Sequence, residues 1–382
     1  MVRVLALLLL SLLIAACSPT ISPYQGNITA TERTAINPSD LPASPIVLDF
    51  EDSSGEVREL ALLAERPELP GSGLGSLPIS FLPSSFLAGP SPYHSKHNQF
   101  GPKGDLLKLP ALPYRTTVAT LHPHESAQAH GTIFYHTSIM MLSAIEGQFL
   151  KKMQRKGWNV VAILPTDSFY RLRLPVFQSQ KEDPAAAARF LAEEMDRHYL
   201  AQAQALAKIR NYLEKERPGW LQNRQVLMGT SAGSFAIPAC AALLPRNTFD
   251  RFVLLSPGAN LLSTFASGAA KVLPNTLNFL NELRRDPPIA IRRFPTNIEY
   301  NRWYQEAVRL TKYHPSALAS HLPPARTLFL NGTVDRVLPK EEIETIHTAL
   351  GKPERWTYPL GHHLIAVNLL SQTKQIHRFL LR

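Results

Sequence analysis

From Thr116 onward, short runs of strand-forming residues alternate with longer amphipathic stretches, and this alternation restricts the fold more than any other feature. Thr116 to Leu121 is a β-branched run. Trp158 to Leu164 is apolar except at Asn159, as expected of a strand covered on both faces. Further strands are read at Gln225–Met228, Phe252–Leu255, Arg326–Leu330 and Trp356–Pro359. Between them, Ser138 to Lys156 places Ile139, Leu142, Ile145, Phe149 and Met153 at helical spacing. Asp183-Pro184 is a helix start, cap then proline, and predicts a helix from 184 to about 217 with a bend or break near Tyr199. Glu341–Leu350 and Leu364–Leu381 read as further helices. Strands taking turns with helices imply a mostly parallel, doubly wound α/β sheet.

Four regions fall outside that rhythm. Residues 18 to 44 are rich in Ser, Thr, Pro and Asn and read as a tether. Ile46, Leu48 and Phe50 alternate before a Ser53-Ser54-Gly55 turn, and Val57, Leu60 and Leu62 resume, which predicts a hairpin. Residues 67 to 113 hold many of the chain's 32 prolines and read as loop. Residues 259 to 323 lie between two strands but are too many for one simple crossover, so they are expected to form a helical cap, with an elaborate crossover as the alternative. That segment carries eight Lys/Arg against four Asp/Glu, with aromatics at Phe265, Phe279, Phe294, Tyr300, Trp303 and Tyr304. Such a lid suits an apolar acyl chain beside an anionic group, or a membrane surface.

The N-terminus is a different kind of segment. Arg3 precedes an apolar run from Val4 to Ala16. Thirteen residues are too few to span a bilayer, which takes ~20. A positive start, an apolar middle and small residues at the end are the marks of a secretory signal peptide. Only two cysteines exist, Cys17 and Cys240. Cys240, on the helix after Ser231, reads as a small buried hydrophobe. The net charge of +10 is scattered, with no basic stripe interleaved with aromatics, so nucleic acid is not an expected partner.

The chemistry is concentrated in Gly229-Thr230-Ser231-Ala232-Gly233, where a strand stops at a serine and a small-residue helix begins. A serine held at such a turn is a nucleophile if a base takes its proton and an acid orients the base. In a doubly wound sheet those partners sit on loops at the carboxyl ends of later strands, acid before histidine. Asp335 lies in the loop after the Arg326–Leu330 strand, and His362 in the loop after the last strand. The stretch "HPHESAQAHGTIFYH" after Leu121 reads as a polar loop, and its histidines at 122, 124, 130 and 136 offer no metal site, since those of "HESAQAH" are six apart and fall on different faces of any helix.

These residues resemble the α/β-hydrolase superfamily: the elbow, the "GTVDRVLP" loop and the "LGHH" loop match its pattern in order and spacing over about residues 115–382. The resemblance implies an α/β-hydrolase fold with Ser231 as nucleophile, Asp335 as acid and His362, rather than His363, as base. It implies an oxyanion hole built by the N–H of Ala232 and a second donor after the Thr116–Leu121 strand. His124 is the candidate there, since Pro123 has no N–H. No metal and no cofactor are implied. The expected activity is hydrolysis of carboxylic esters, small-molecule or lipid, through an acyl-enzyme. The same triad serves peptidases, thioesterases and acyltransferases, and a non-catalytic envelope lipoprotein is the remaining alternative. Ile14-Ala15-Ala16-Cys17 resembles a bacterial lipobox, which implies a lipid on Cys17 and a membrane partner. Ser18 after it implies the outer membrane of a Gram-negative cell, facing the periplasm. The expected organisation is signal peptide 1–16, tether 17–44, core 45–258 and 324–382 with an irregular extension 45–115, and cap 259–323.

Overall fold

The computed structural model describes residues 19–22, 49–51, 105–109, 117–126, 128–138, 144–163, 184–261 and 306–382. The apolar run 4–16, Cys17, the second arm of the expected hairpin and cap residues 262–305 with their six aromatics lie outside the described residues.

Among the described residues, ten strands form one sheet: β1 (Thr20–Ser22), β2 (Asp49–Glu51), β3 (Asp105–Leu109), β4 (Thr117–His122), β5 (Gly131–His136), β6 (Trp158–Ile163), β7 (Arg224–Thr230), β8 (Arg251–Leu255), β9 (Thr327–Gly332) and β10 (Glu354–Tyr358). Their spatial order is β1-β10-β9-β8-β7-β5-β6-β4-β3-β2. The run β6-β5-β7-β8-β9-β10 is parallel throughout. Strands β4, β3 and β2 extend one edge antiparallel, and β1 adds antiparallel to the other.

Side-chain alternation along the parallel strands sends residues to two separate cores. Leu227, Phe252, Leu254 and Phe329 point to one face, packing with Met195, Leu206 and Ile209 of α2 (Pro184–Glu216), Phe235 of α3 (Ala232–Leu243) and Ile343 of α4 (Lys340–Ala349). Val226, Met228, Val253, Leu255, Leu328 and Leu330 point to the other, against Phe149 and Met153 of α1 (Ala144–Arg155) and Leu369 and Ile376 of α5 (His362–Leu381). Each such side chain, fully withdrawn from water, contributes about 1.5–3 kcal/mol.

Several expectations are corrected here. The tether is not free from its start, because Thr20–Ser22 are paired with Arg355–Thr357. The Pro-rich stretch is not all loop, because Asp105–Leu109 form β3 and pair with both β2 and β4. Helix α2 is continuous through Tyr199, whose ring is fully buried and so anchors the helix where a break was read. The segment 131–136, read as loop, is the buried central strand β5. Of the expected cap, residues 306–323 are described in part as core: Ala307, Leu318, Ala319 and Leu322 are buried with the α2 face. The backbone N–H groups of Lys312 and Tyr313 donate to Asp196 of α2 at 2.8–3.0 Å.

Candidate active site

Strand β7 ends at Thr230 and α3 begins at Ala232, which leaves one residue to reverse the chain. That residue, Ser231, takes φ 50°, ψ −117°, a backbone region that side chains rarely adopt. Its surroundings hold it there. Ser231 N–H donates to the Leu255 carbonyl of β8 at 2.8 Å, and its own carbonyl accepts from Ser234 N–H and Oγ at 2.8 and 2.6 Å. The flanking glycines answer the sterics. A Cβ at Gly233 would lie 2.1 Å from the His136 carbonyl oxygen, and one at Gly229 would lie 2.7 Å from the Gly233 carbonyl.

Asp335 lies in the loop leaving β9 and His362 opens α5 after β10. Ser231 Oγ is 2.9 Å from His362 Nε2, and His362 Nδ1 is 2.8 Å from Asp335 Oδ2. The Asp335 side chain has no solvent exposure, and that of His362 has 10%. The other carboxylate oxygen of Asp335 accepts from Val337 and Leu338 N–H, both at 2.9 Å, which fixes the plane of the carboxylate toward the imidazole. The three residues read from the sequence are therefore brought together in one hydrogen-bonded chain. His363 is a residue of α5, and its side chain lies outside the described residues.

Ala232 is buried and is the first residue of α3. Its N–H therefore has no acceptor within its own helix and lies at the positive end of the helix dipole. His124 does not join it. The His124 N–H donates to Asn159 Oδ1 at 3.0 Å, near the start of β6. β4 runs antiparallel to β6, so its end meets the amino ends of β5 and β7. Asn159 is level with Thr132 and Gln225, six residues short of Ser231 and ~20 Å away along the strand. The assignment of His124 fails because β5, not β4, is the strand that ends beside the elbow, with His136 level with Gly229.

The loop that does abut the elbow follows β5. His136 and Thr137 carbonyls face Gly233, and Thr137 N–H donates to Ile163 at 2.9 Å. A buried carboxylate holds this loop. Glu146 of α1 accepts from Ser138 N–H at 2.8 Å, Ser138 Oγ at 2.9 Å and the Tyr135 hydroxyl at 2.9 Å. That hydroxyl is also 2.6 Å from Thr230 Oγ1, the residue before Ser231. Burial, then the Glu146 charge, push the Tyr135 hydroxyl well above its ordinary pKa, so it stays a donor. This network escaped the sequence reading; the pairing of Tyr135 with Glu146 across eleven positions depends on how β5 and α1 pack.

The histidines are dispersed. His122 and His136 occupy the ends of β4 and β5 at opposite ends of the sheet, both fully buried. Burial lowers their pKa values to about 3 and about 4. His136 Nδ1 meets Gln202 at 2.9 Å, and its Nε2 meets Cys240 Sγ at 3.5 Å. The Cys240 thiol, also fully buried, is pushed up by burial and is no nucleophile.

The parallel strand order, the serine elbow after β7 and the acid and histidine loops after β9 and β10 define the α/β-hydrolase fold. No protein-family model matches the chain, and no curated protein matches its sequence. Solved structures do match. The uncomplexed acylaminoacyl peptidase of Pyrococcus horikoshii is 14% identical over 72% of this chain and 41% of its own, at a TM-score of 0.47. A thermostable carboxyl esterase from Bacillus coagulans in complex with glycerol is 12% identical over 72% and 99%, at 0.45. Acetyl xylan esterase 1 from a Thermoanaerobacterium species is 14% identical over 71% and 83%, at 0.42. The chain spans about two fifths of the peptidase's length. These likenesses concern the fold alone.

Proposed function

We propose that this protein is a serine hydrolase that cleaves carboxylic esters through an acyl-enzyme. The observation that carries the reading is the unbroken relay Ser231 Oγ–His362–Asp335, at 2.9 and 2.8 Å, on a serine held at positive φ. In the first half-reaction Ser231 Oγ bonds to the ester carbonyl carbon and its proton passes to His362 Nε2. The negative charge that develops on the carbonyl oxygen is met by the Ala232 N–H. The ester C–O bond breaks and the alcohol leaves with the proton from His362. Water then attacks the acyl group with His362 as base, and the carboxylic acid is released. Asp335 keeps the imidazole in the required tautomer and stabilises its charged form.

A fluorophosphonate probe tests the nucleophile: labelling at Ser231 in the folded chain, absent in Ser231→Ala, is expected. Absence of labelling in the parent would leave a binding role for the fold. A panel of acyl esters of increasing chain length, run beside a thioester and an amide, tests the bond; faster turnover of either of the latter overturns the ester assignment.

The same proposal includes a lipid anchor at Cys17, after the Ile14-Ala15-Ala16-Cys17 run, and a site on the outer membrane facing the periplasm. Mass spectrometry of the N-terminal peptide is expected to find acyl groups on Cys17, and Cys17→Ser to weaken membrane attachment.

A further inference from the structure

The row Thr230–Leu255–Leu330–Trp356–Ile21 runs level across β7, β8, β9, β10 and β1. Ser231 is one residue beyond this row. Thr20 is one residue beyond it on the same side, opposite Thr357 and bonded through its carbonyl to Thr357 Oγ1 at 3.1 Å. The chain therefore joins the sheet from the carboxyl end, level with the nucleophile and four strand spacings, ~19 Å, to its side. Cys17 is three residues upstream of Thr20, and the apolar run ends at Ala16. Three residues reach at most ~10 Å.

We propose that the N-terminal anchor holds the carboxyl end of the sheet against the bilayer, so that the substrate is an acyl ester resident in the membrane. This inference rests on the hydrolase and anchor readings above. It holds whether the attachment is a lipid on Cys17 or the apolar run itself, because both end at the same point in the chain. Reach decides the orientation. Presenting the opposite end would require the tether to cover the six residues from Arg224 to Thr230, ~20 Å, about twice what it can span. The surface at the carboxyl end agrees. Val334, in the loop after β9, is 58% exposed, and the exposed Arg336 follows two residues on. An apolar tip beside a cation suits the boundary between acyl chains and phosphate headgroups.

The rival lipid-facing surface is the groove at the other end, lined by Lys152, Arg155, Lys156 and Lys374. Part of the charge at that end is already matched within the chain: Arg155 meets Glu125 and Arg382 meets Glu354.

The test is energy transfer to acceptor-labelled headgroups in vesicles of phosphatidylethanolamine and phosphatidylglycerol. The full lipidated chain is labelled at Val334→Cys or Arg246→Cys, both exposed positions, at the carboxyl and amino ends of the sheet; the buried Cys240 is not labelled. Stronger transfer from position 334 is expected. Equal or stronger transfer from 246 overturns the orientation while leaving anchor and triad intact. A chain that does not attach overturns the orientation together with the anchor. For the substrate, a flexible Gly/Ser insert of about ten residues between Ser18 and Pro19 lengthens the tether. Turnover of a vesicle-borne long-chain ester, relative to a soluble short-chain ester, is expected to fall about fivefold as the effective concentration drops. An unchanged ratio overturns the membrane-substrate assignment. Inactivity of the parent on both esters overturns the hydrolase reading instead.

Discussion

The two ends of the sheet are made from the same strands and differ in almost everything else. At the carboxyl ends of β7 and β8, two serines, Ser231 and Ser256, adopt φ 50° and 49°. Polar groups there are buried and bonded to one another, as in the Ser231–His362–Asp335 relay and the Tyr135–Glu146–Ser138 network. At the amino ends, positive φ occurs at Gly131 and Gly157, both buried, and at Asn247, Gly351 and Lys352, all exposed. Four of these five are Gly or Asn, which tolerate that region. Arg251 has its pKa lowered by burial and then by Arg224 and Arg326 close by. The apolar middle of each strand is indifferent to direction. The difference is that positive φ falls on two serines at the carboxyl end and mainly on Gly and Asn at the amino end, so the strain lies beside the relay, where packing over-determines it.

The largest effect that separates the ends is on turnover. Ser231→Ala and His362→Ala are each expected to lower turnover of an activated ester by about 10⁴-fold or more, with little change in thermal unfolding. Asp335→Asn is expected to lower it by about 10⁴-fold through loss of the imidazole's tautomer. Arg224→Ala, at the opposite end of β7, leaves turnover unchanged. The companion variant His363→Ala is expected to lose far less than His362→Ala; the reverse ranking would move the base to His363, and indifference to both would end the triad reading.

The Glu146 network joins stability to activity, and its removal is the next largest effect. Glu146→Ala deprives Ser138 N–H, Ser138 Oγ and the Tyr135 hydroxyl of their acceptor in a buried site. Removing this acceptor from a buried site is expected to destabilise the fold by about 3 kcal/mol. Because Ser138 and Thr230 flank the elbow, kcat should fall by about tenfold while KM changes less. Glu146→Gln can still accept from Tyr135 and Ser138 N–H, and its amide can donate to Ser138 Oγ, so it should recover most of both. If Glu146→Ala unfolds more easily yet turns over normally when folded, the network is a scaffold only.

What the sequence disclosed follows the same division. The elbow was legible because the sterics of Gly229 and Gly233 act within five residues, and the acid and base because their loops follow strong apolar strands. Strand β5 was missed since "GTIFYH" is bracketed by histidines that read as loop; the alternation at Ile133 and Tyr135 against Phe134 was the available signal. That omission displaced the second oxyanion donor to His124. Strands β1, β2 and β3 were not legible as paired edges because three to five residues carry little propensity of their own and depend on distant partners. The Glu146 network was invisible for the same reason: its members meet only after the sheet and α1 have packed.

Buried histidines at the two ends give an effect of intermediate size on stability. His136 and His122 have native pKa values lowered to about 4 and about 3, by burial in each case, from an ordinary value of 6.5. The native state favours their neutral forms. Their contribution to stability is therefore fully present above pH 6.5 and is lost as pH falls toward 4, because the unfolded chain binds protons that the folded chain does not. Each histidine is expected to remove about 2 kcal/mol between pH 7 and pH 5. His122→Gln should flatten the pH dependence of the unfolding free energy over that window and leave turnover at pH 7 unaffected. An unaltered slope would mean that His122 is protonated in the folded chain.

The smallest effect concerns ion pairs, and it sharpens the comparison most because the chemistry at the two ends is nominally alike. At the carboxyl end, His362 Nδ1 and Asp335 Oδ2 are 2.8 Å apart with 10% and 0% exposure. At the amino end, Arg155 and Glu125 are 3.6 Å apart with 61% and 46%. Water solvates both members of the second pair, and side-chain entropy opposes holding them together, so its net contribution is about 0–1 kcal/mol. Glu125→Ala is accordingly expected to shift the unfolding midpoint by no more than about 2 °C and to leave turnover alone. The shift should shrink further in about 1 M salt, where screening reaches exposed charges first. Asp335→Ala at matched salt should instead abolish most turnover at both ionic strengths. If Glu125→Ala lowered turnover by about tenfold, the amino end would be coupled to the elbow through α1. The separation of chemistry from scaffold along the strands would then be wrong.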